Sequence, residues 1–117
     1  MLDDTLRRTM LFDFFGELLT EKQREYFDLH YNEDLSLAEI AQQHGVTRQG
    51  VWDIIKRAET TLLETEEKTG LIRKYEERRE LIARTSDELC LLRDMTNGKA
   101  RELTDLIHER LEELKNL

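Results

Sequence analysis

Seven side chains able to do recognition chemistry crowd one short stretch: Thr47, Arg48, Gln49, Trp52, Asp53, Lys56 and Arg57. Arg48 and Gln49 carry planar, paired hydrogen-bonding groups. These match the edges of guanine and adenine, respectively, in the major groove of duplex DNA. Lys56 and Arg57 suit phosphate oxygens. Thr47 and Trp52 complete the candidate contacts. Trp52 follows a core position by one residue, so packing on the first helix or at a dimer contact is its favoured role. Asp53 could accept from cytosine, but it repels phosphate. Residues 47–58 carry a net charge of +2 and residues 1–58 carry −4, so the stretch is a positive island on an acidic body.

Such a stretch reads a groove only if it is one rigid helix crossing another at a steep angle through a very short turn. The segment Leu37–Arg57 meets those steric demands. Ala41 offers a small side chain at the crossing. Gly45, four positions later, tolerates the positive φ of a tight turn. Val46 is expected to plug the core after that turn, and Val51 and Ile54 to face inward at helical spacing. Ile40 completes the set. His44 stands where an apolar residue is more usual. An ordinary helical hairpin with a glycine turn is the alternative.

Apolar residues recur at helical spacing almost end to end, which argues against disorder despite 38% charged residues. Leu6, Met10, Leu11, Phe14, Phe15, Leu18 and Leu19 predict a first helix. Thr20-Glu-Lys-Gln23 and Ser36-Leu-Ala-Glu39 are capping boxes that predict new helices near Glu21 and Leu37. Thr47 caps a further helix from Arg48. Leu71 to Ile82 predicts another, Thr85-Ser-Asp-Glu88 the start of one more, and Asn97-Gly98 a turn before a last helix with Leu103, Leu106, Ile107, Leu111 and Leu114. The fold class is therefore all-α. Residues 1–65 form an N-terminal helical domain with the helix-turn-helix at about 37–57, and residues 66–117 form a charged helical extension suited to dimerisation or partner binding.

The runs Leu18 to Tyr26, Asp34 to Ala41 and Val46 to Gln49 resemble region 4 of bacterial σ70-type sigma factors. Together with Arg8 to Phe15 and Asp53 to Arg57, they are more similar to the YlxM-type family of small helix-turn-helix proteins from Gram-positive bacteria. The resemblance covers about residues 6–82. It implies a sigma-region-4-like DNA-binding domain, with Thr47, Arg48, Gln49, Lys56 and Arg57 as DNA contacts. It also implies a link to the signal recognition particle pathway. Gly50, Trp52 and Asp53 depart from the sigma pattern, which usually offers polar or basic groups at these positions.

The remaining chemistry is sparse. His30, His44 and His108 have no metal-ligand spacing, and the paired carboxylates Glu66-Glu67, Glu76-Glu77 and Glu112-Glu113 read as solvated helix faces. No metal, cofactor or catalytic residue is expected, and the protein is read as no enzyme. Cys90 is alone, fits a reducing compartment, and is expected to be a small apolar filler. The opening Met-Leu-Asp-Asp lacks a signal-peptide pattern and no run is long enough to span a membrane, so a cytoplasmic protein is expected. Two functions compete. One is a DNA-binding regulator, a homodimer presenting two reading helices to double-stranded DNA. The other is a protein or ribonucleoprotein adaptor for the signal recognition particle protein or its RNA complex. The positive island favours the first; the −8 net charge favours the second.

Overall fold

A computed structural model describes residues 4–117, which form six α-helices and no strand. They are α1 (Asp4–Phe15), α2 (Glu21–Tyr31), α3 (Leu37–His44), α4 (Arg48–Thr69), α5 (Leu71–Asp94) and α6 (Gly98–Lys115). The chain divides into two compact units, one running to Ile72 and the other Arg73–Leu117. The division falls later than residue 65 because α4 runs unbroken to Thr69 and Ile72 is buried in the first core. Met1, Leu2 and Asp3, including the opening read above, lie outside the described residues.

Local chemistry starts three of the helices in the first unit. Thr20 Oγ1 accepts from the Gln23 N–H at 3.2 Å, while Gln23 Oε1 accepts from the Thr20 N–H at 3.1 Å. Ser36 and Glu39 repeat the exchange at 3.0 and 3.1 Å. Thr47 Oγ1 accepts from the Gly50 N–H at 3.0 Å. Each cap satisfies a donor the helix cannot, worth about 1 kcal/mol. At the end of α3, Gly45 takes φ 65° and the Val46 N–H reaches back to the Ala41 carbonyl at 3.0 Å. This is the six-to-one bond of a Schellman motif, which turns the chain sharply into α4.

The spine of the core is α4. Val51, Ile55, Ala58 and Leu62 repeat at helical spacing and are buried against Leu11 and Phe15 of α1, Tyr26 and Phe27 of α2, and Ile40 and Ala41 of α3. Phe12 stacks on Phe27 with ring centres 5.3 Å apart. Two expectations change here. Val46 does not plug the core; it is 43% exposed, because the Schellman bond spends its backbone on the turn and leaves its side chain at the end of α3. Ile54 sits at the edge of the α4 stripe and is half-buried, while Ile55 takes the interior position. The first helix is also shorter than its periodicity suggests. It stops at Phe15, a 3₁₀ turn covers Gly16–Leu18, and Leu18 is exposed while Leu19 is buried.

The second unit is an antiparallel pair formed by α5 and α6. Thr85 starts no new helix: its hydroxyl donates to the Leu81 carbonyl one turn back, at 2.8 Å, so α5 continues through it. Ser86 Oγ lies 3.0 Å from His108 Nε2, and Arg93 Nε donates to Asp105 Oδ1 at 2.6 Å. Thr104 is the buried residue of α6, whereas Leu81, Leu92, Met95, Leu103, Ile107 and Leu114 are exposed. Cys90 is exposed as well, so it fills no core. Among the described residues, no helix is long and apolar enough to cross a membrane.

Candidate nucleic-acid interface

The α3–α4 turn leaves the first two turns of α4 at the surface. Thr47, Arg48, Gln49, Asp53, Lys56 and Arg57 are exposed, Gly50 and Trp52 half-buried. Arg48 is the first residue of α4, next to the Thr47 cap, and no described residue bonds its guanidinium. Arg57 is similarly unpaired among the described residues and lies on the opposite edge of the outward face. Lys56 is partly engaged. Its Nζ sits 5.0 Å above the Trp52 ring and 3.7 Å from Glu59 Oε2.

Gln49 and Asp53 form a pair that sequence reasoning missed. Gln49 Nε2 donates to Asp53 Oδ1 at 2.9 Å. One turn of helix separates the two residues, so the bond forms along one face. Asp53 thereby occupies an amide donor that adenine would otherwise use, and places a negative charge at the middle of the outward face. The spacing i, i+4 between a glutamine and an acidic residue was the available signal.

Trp52 packs against the core, and its ring meets His30 at the end of α2, edge-on at 6.4 Å between ring centres. His30 Nδ1 lies 2.8 Å from the Leu35 carbonyl, which assigns the ring proton to Nδ1 and fixes the ring. In front of Trp52 opens a cleft of about 450 Å³ lined by Leu37, Arg48, Gln49 and Trp52. Leu37 enters this site because the Ser36 cap starts α3 beside the N-terminus of α4. Neither His30 nor Leu37 carried a functional signal in the sequence.

A Cβ at Gly50 would meet Thr47 Oγ1 at 3.1 Å, a tight contact that the cap would relieve by shifting a few tenths of an ångström. His44 is not apolar, yet it packs. Its ring lies 4.9 Å from Tyr26 and its Nε2 3.5 Å from Glu25 Oε1. Beneath the site, Arg8 lies over the Tyr31 ring at 4.6 Å. Burial, helped by the Glu59 charge and opposed by Arg8, pushes the Tyr31 phenol above its usual value. Among the described residues, no three His, Cys, Asp or Glu side chains converge to hold a metal ion.

Residues 2–112 match the sequence profile of the family UPF0122, described as "Putative helix-turn-helix protein, YlxM / p13 like". The chain is 47% identical over 114 residues to the UPF0122 protein GK1195 of Geobacillus kaustophilus, covering 97% of this chain and 99% of that one. It is 45% identical to the UPF0122 protein ABC2295 of Shouchella clausii, again covering 97% and 99%. A protein of Halalkalibacterium halodurans is 50% identical over 101 residues, covering 79% of this chain and 93% of that one.

Proposed function

From the premise that this chain belongs to the UPF0122 helix-turn-helix family, we propose that it is a regulatory protein that binds duplex DNA through the N-terminal half of α4. The observation that carries this reading is Arg48, exposed on the first turn of α4 with its donor fork unoccupied among the described residues. A guanidinium at the start of a reading helix is suited to guanine. Arg57 and Lys56 supply phosphate contacts, and Thr47 holds the first turn in place. The body around them is acidic: residues 1–72 carry eight basic and fifteen acidic side chains. Affinity is accordingly modest and falls steeply with salt. The test is a gel-shift titration of a mixed-sequence duplex at low salt with the wild type and Arg48→Ala. Binding by the first, and at least fivefold weaker binding by the second, supports the reading; no shift by the wild type removes it.

A dimer belongs to this proposal. Ser86–His108 and Arg93–Asp105 mark the sides on which α5 and α6 face each other. Counting about 100° per residue from those contacts, Leu81 and Leu92 on α5 and Leu103, Ile107 and Leu114 on α6 fall between about a third and nearly half a turn away, toward one common side. The pair thus has one apolar face, and it needs a cover. A second copy suits the charge. Residues 73–84 have five basic and three acidic side chains, and residues 85–94 have one and three, so antiparallel copies of α5 set opposite charges together. Two copies then present two reading helices to cytoplasmic DNA.

The Gln49–Asp53 bond favours a second reading, because it places a carboxylate where phosphate would come. There the acidic first unit docks on a basic partner, which the family resemblance suggests is the signal recognition particle protein or its RNA complex. A pull-down of that partner that survives physiological salt, with no duplex binding, would select it.

A further inference from the structure

The cleft beside Arg48 combines apolar and polar lining. Leu37 and Trp52, both half-buried, give it an apolar lining, and the exposed Arg48 and Gln49 line it as well. His30 backs Trp52, and Lys56 stacks on the same ring. Two cations therefore flank an apolar recess on the surface that the reading above turns toward DNA. A polyanion bearing an apolar point complements that arrangement, and the major groove offers such a point. Among the base edges there, thymine alone presents a methyl group; the others present donors and acceptors.

Resting on the duplex-binding reading, we infer that this cleft receives the 5-methyl group of a thymine, so that Trp52 and Leu37 select a thymine close to the guanine taken by Arg48. The spacing agrees. Arg48 and Trp52 are separated by about 6 Å of helix rise, which spans between one and two base-pair steps of about 3.4 Å. The division of labour also agrees. Gln49 is held by Asp53 and Arg48 is not, so the polar readout narrows to Arg48 and the apolar readout falls to the cleft. Cytosine at the same position brings an amino donor and no methyl to the apolar wall.

The experiment begins with selection of bound duplexes from a randomised pool by the full-length protein at low salt. Each thymine of the recovered sequence is then replaced by deoxyuridine, which removes the methyl and nothing else. One replacement, one or two base pairs from a guanine, is expected to weaken binding about fourfold, the effect of losing one buried methyl. Other replacements leave affinity unchanged. Trp52→Ala loses the thymine–uracil difference and Trp52→Phe keeps most of it, with circular dichroism confirming that both variants are folded. If every replacement is neutral for the wild type, the inference is overturned while duplex binding stands, and an apolar side chain of a protein partner becomes the occupant to seek. If Trp52→Ala is folded and still discriminates, the inference is overturned as well. If no duplex is recovered at all, the duplex-binding reading itself fails, and this inference with it.

Discussion

Asp53→Ala is expected to tighten duplex binding. In the wild type the Asp53 carboxylate lies exposed on α4 and accepts from Gln49 Nε2 at 2.9 Å. A carboxylate about 7 Å from a phosphate repels it by about 0.6 kcal/mol at the dielectric constant of water. Releasing Gln49 from an exposed hydrogen bond removes a further competitor worth about 0.5 kcal/mol. Together these give about 1 kcal/mol, a gain of roughly fivefold in Kd. The substitution should not cost stability, because alanine is the better helix former by about 0.5 kcal/mol. The assay is fluorescence anisotropy with a labelled duplex at about 50 mM salt, where exposed charges still interact across an interface. A melting curve of the same sample confirms folding. A folded variant that binds no better than wild type would refute the reasoning, because Asp53 would then not face phosphate and the N-terminal half of α4 would not be the surface that meets DNA.

Gly45→Ala should destabilise the fold by about 1–2 kcal/mol, the cost of holding an L side chain in the left-handed region. A Cβ there would meet no atom within 4 Å, so no clash adds to it, and a shift in the denaturation midpoint reads the effect. Tyr31 is raised above its usual pKa chiefly by burial, so the fold favours the neutral phenol. Its contribution is complete below about pH 10 and lost as pH rises past that value. Tyr31→Phe should therefore lose less stability between about pH 9 and 11, measured by urea unfolding. Replacing Leu103 and Ile107 together with Glu should convert the proposed dimer to monomer in light scattering. A dimer unaffected by these charges would place the interface elsewhere.

Several features could be read directly because they depend on neighbours in sequence. The Thr20, Ser36 and Thr47 caps each need a side chain and an amide three residues on, and Gly45 needs only freedom at φ. Other features depend on what meets across space. Val46 has an apolar side chain at the right spacing, yet the geometry of the turn sets it outside. Ile54 and Ile55 differ by a single position, and only the packing of α4 on three helices decides which is interior. Thr85 and Ser86 resemble a helix start, but one bonds back to Leu81 and the other meets His108 on α6. Trp52 departs from the sigma pattern in the sequence itself, but its partner, His30, lies on another helix and leaves no periodic trace. Arg48, Lys56 and Arg57 were legible as cations; that Lys56 is engaged and Arg48 is not required the structure.

The most direct test of the central claim is the salt dependence of duplex binding. Lys56 and Arg57 amount to two phosphate-facing charges per protomer, so the slope of log K against log salt should be about −1.8, and raising salt from about 50 to 200 mM should weaken binding roughly 12-fold. Arg57→Ala should flatten that slope by about one unit. Wild-type protein that gives no anisotropy change at the lowest salt, or a slope near zero, would contradict the claim that α4 is a DNA-reading helix.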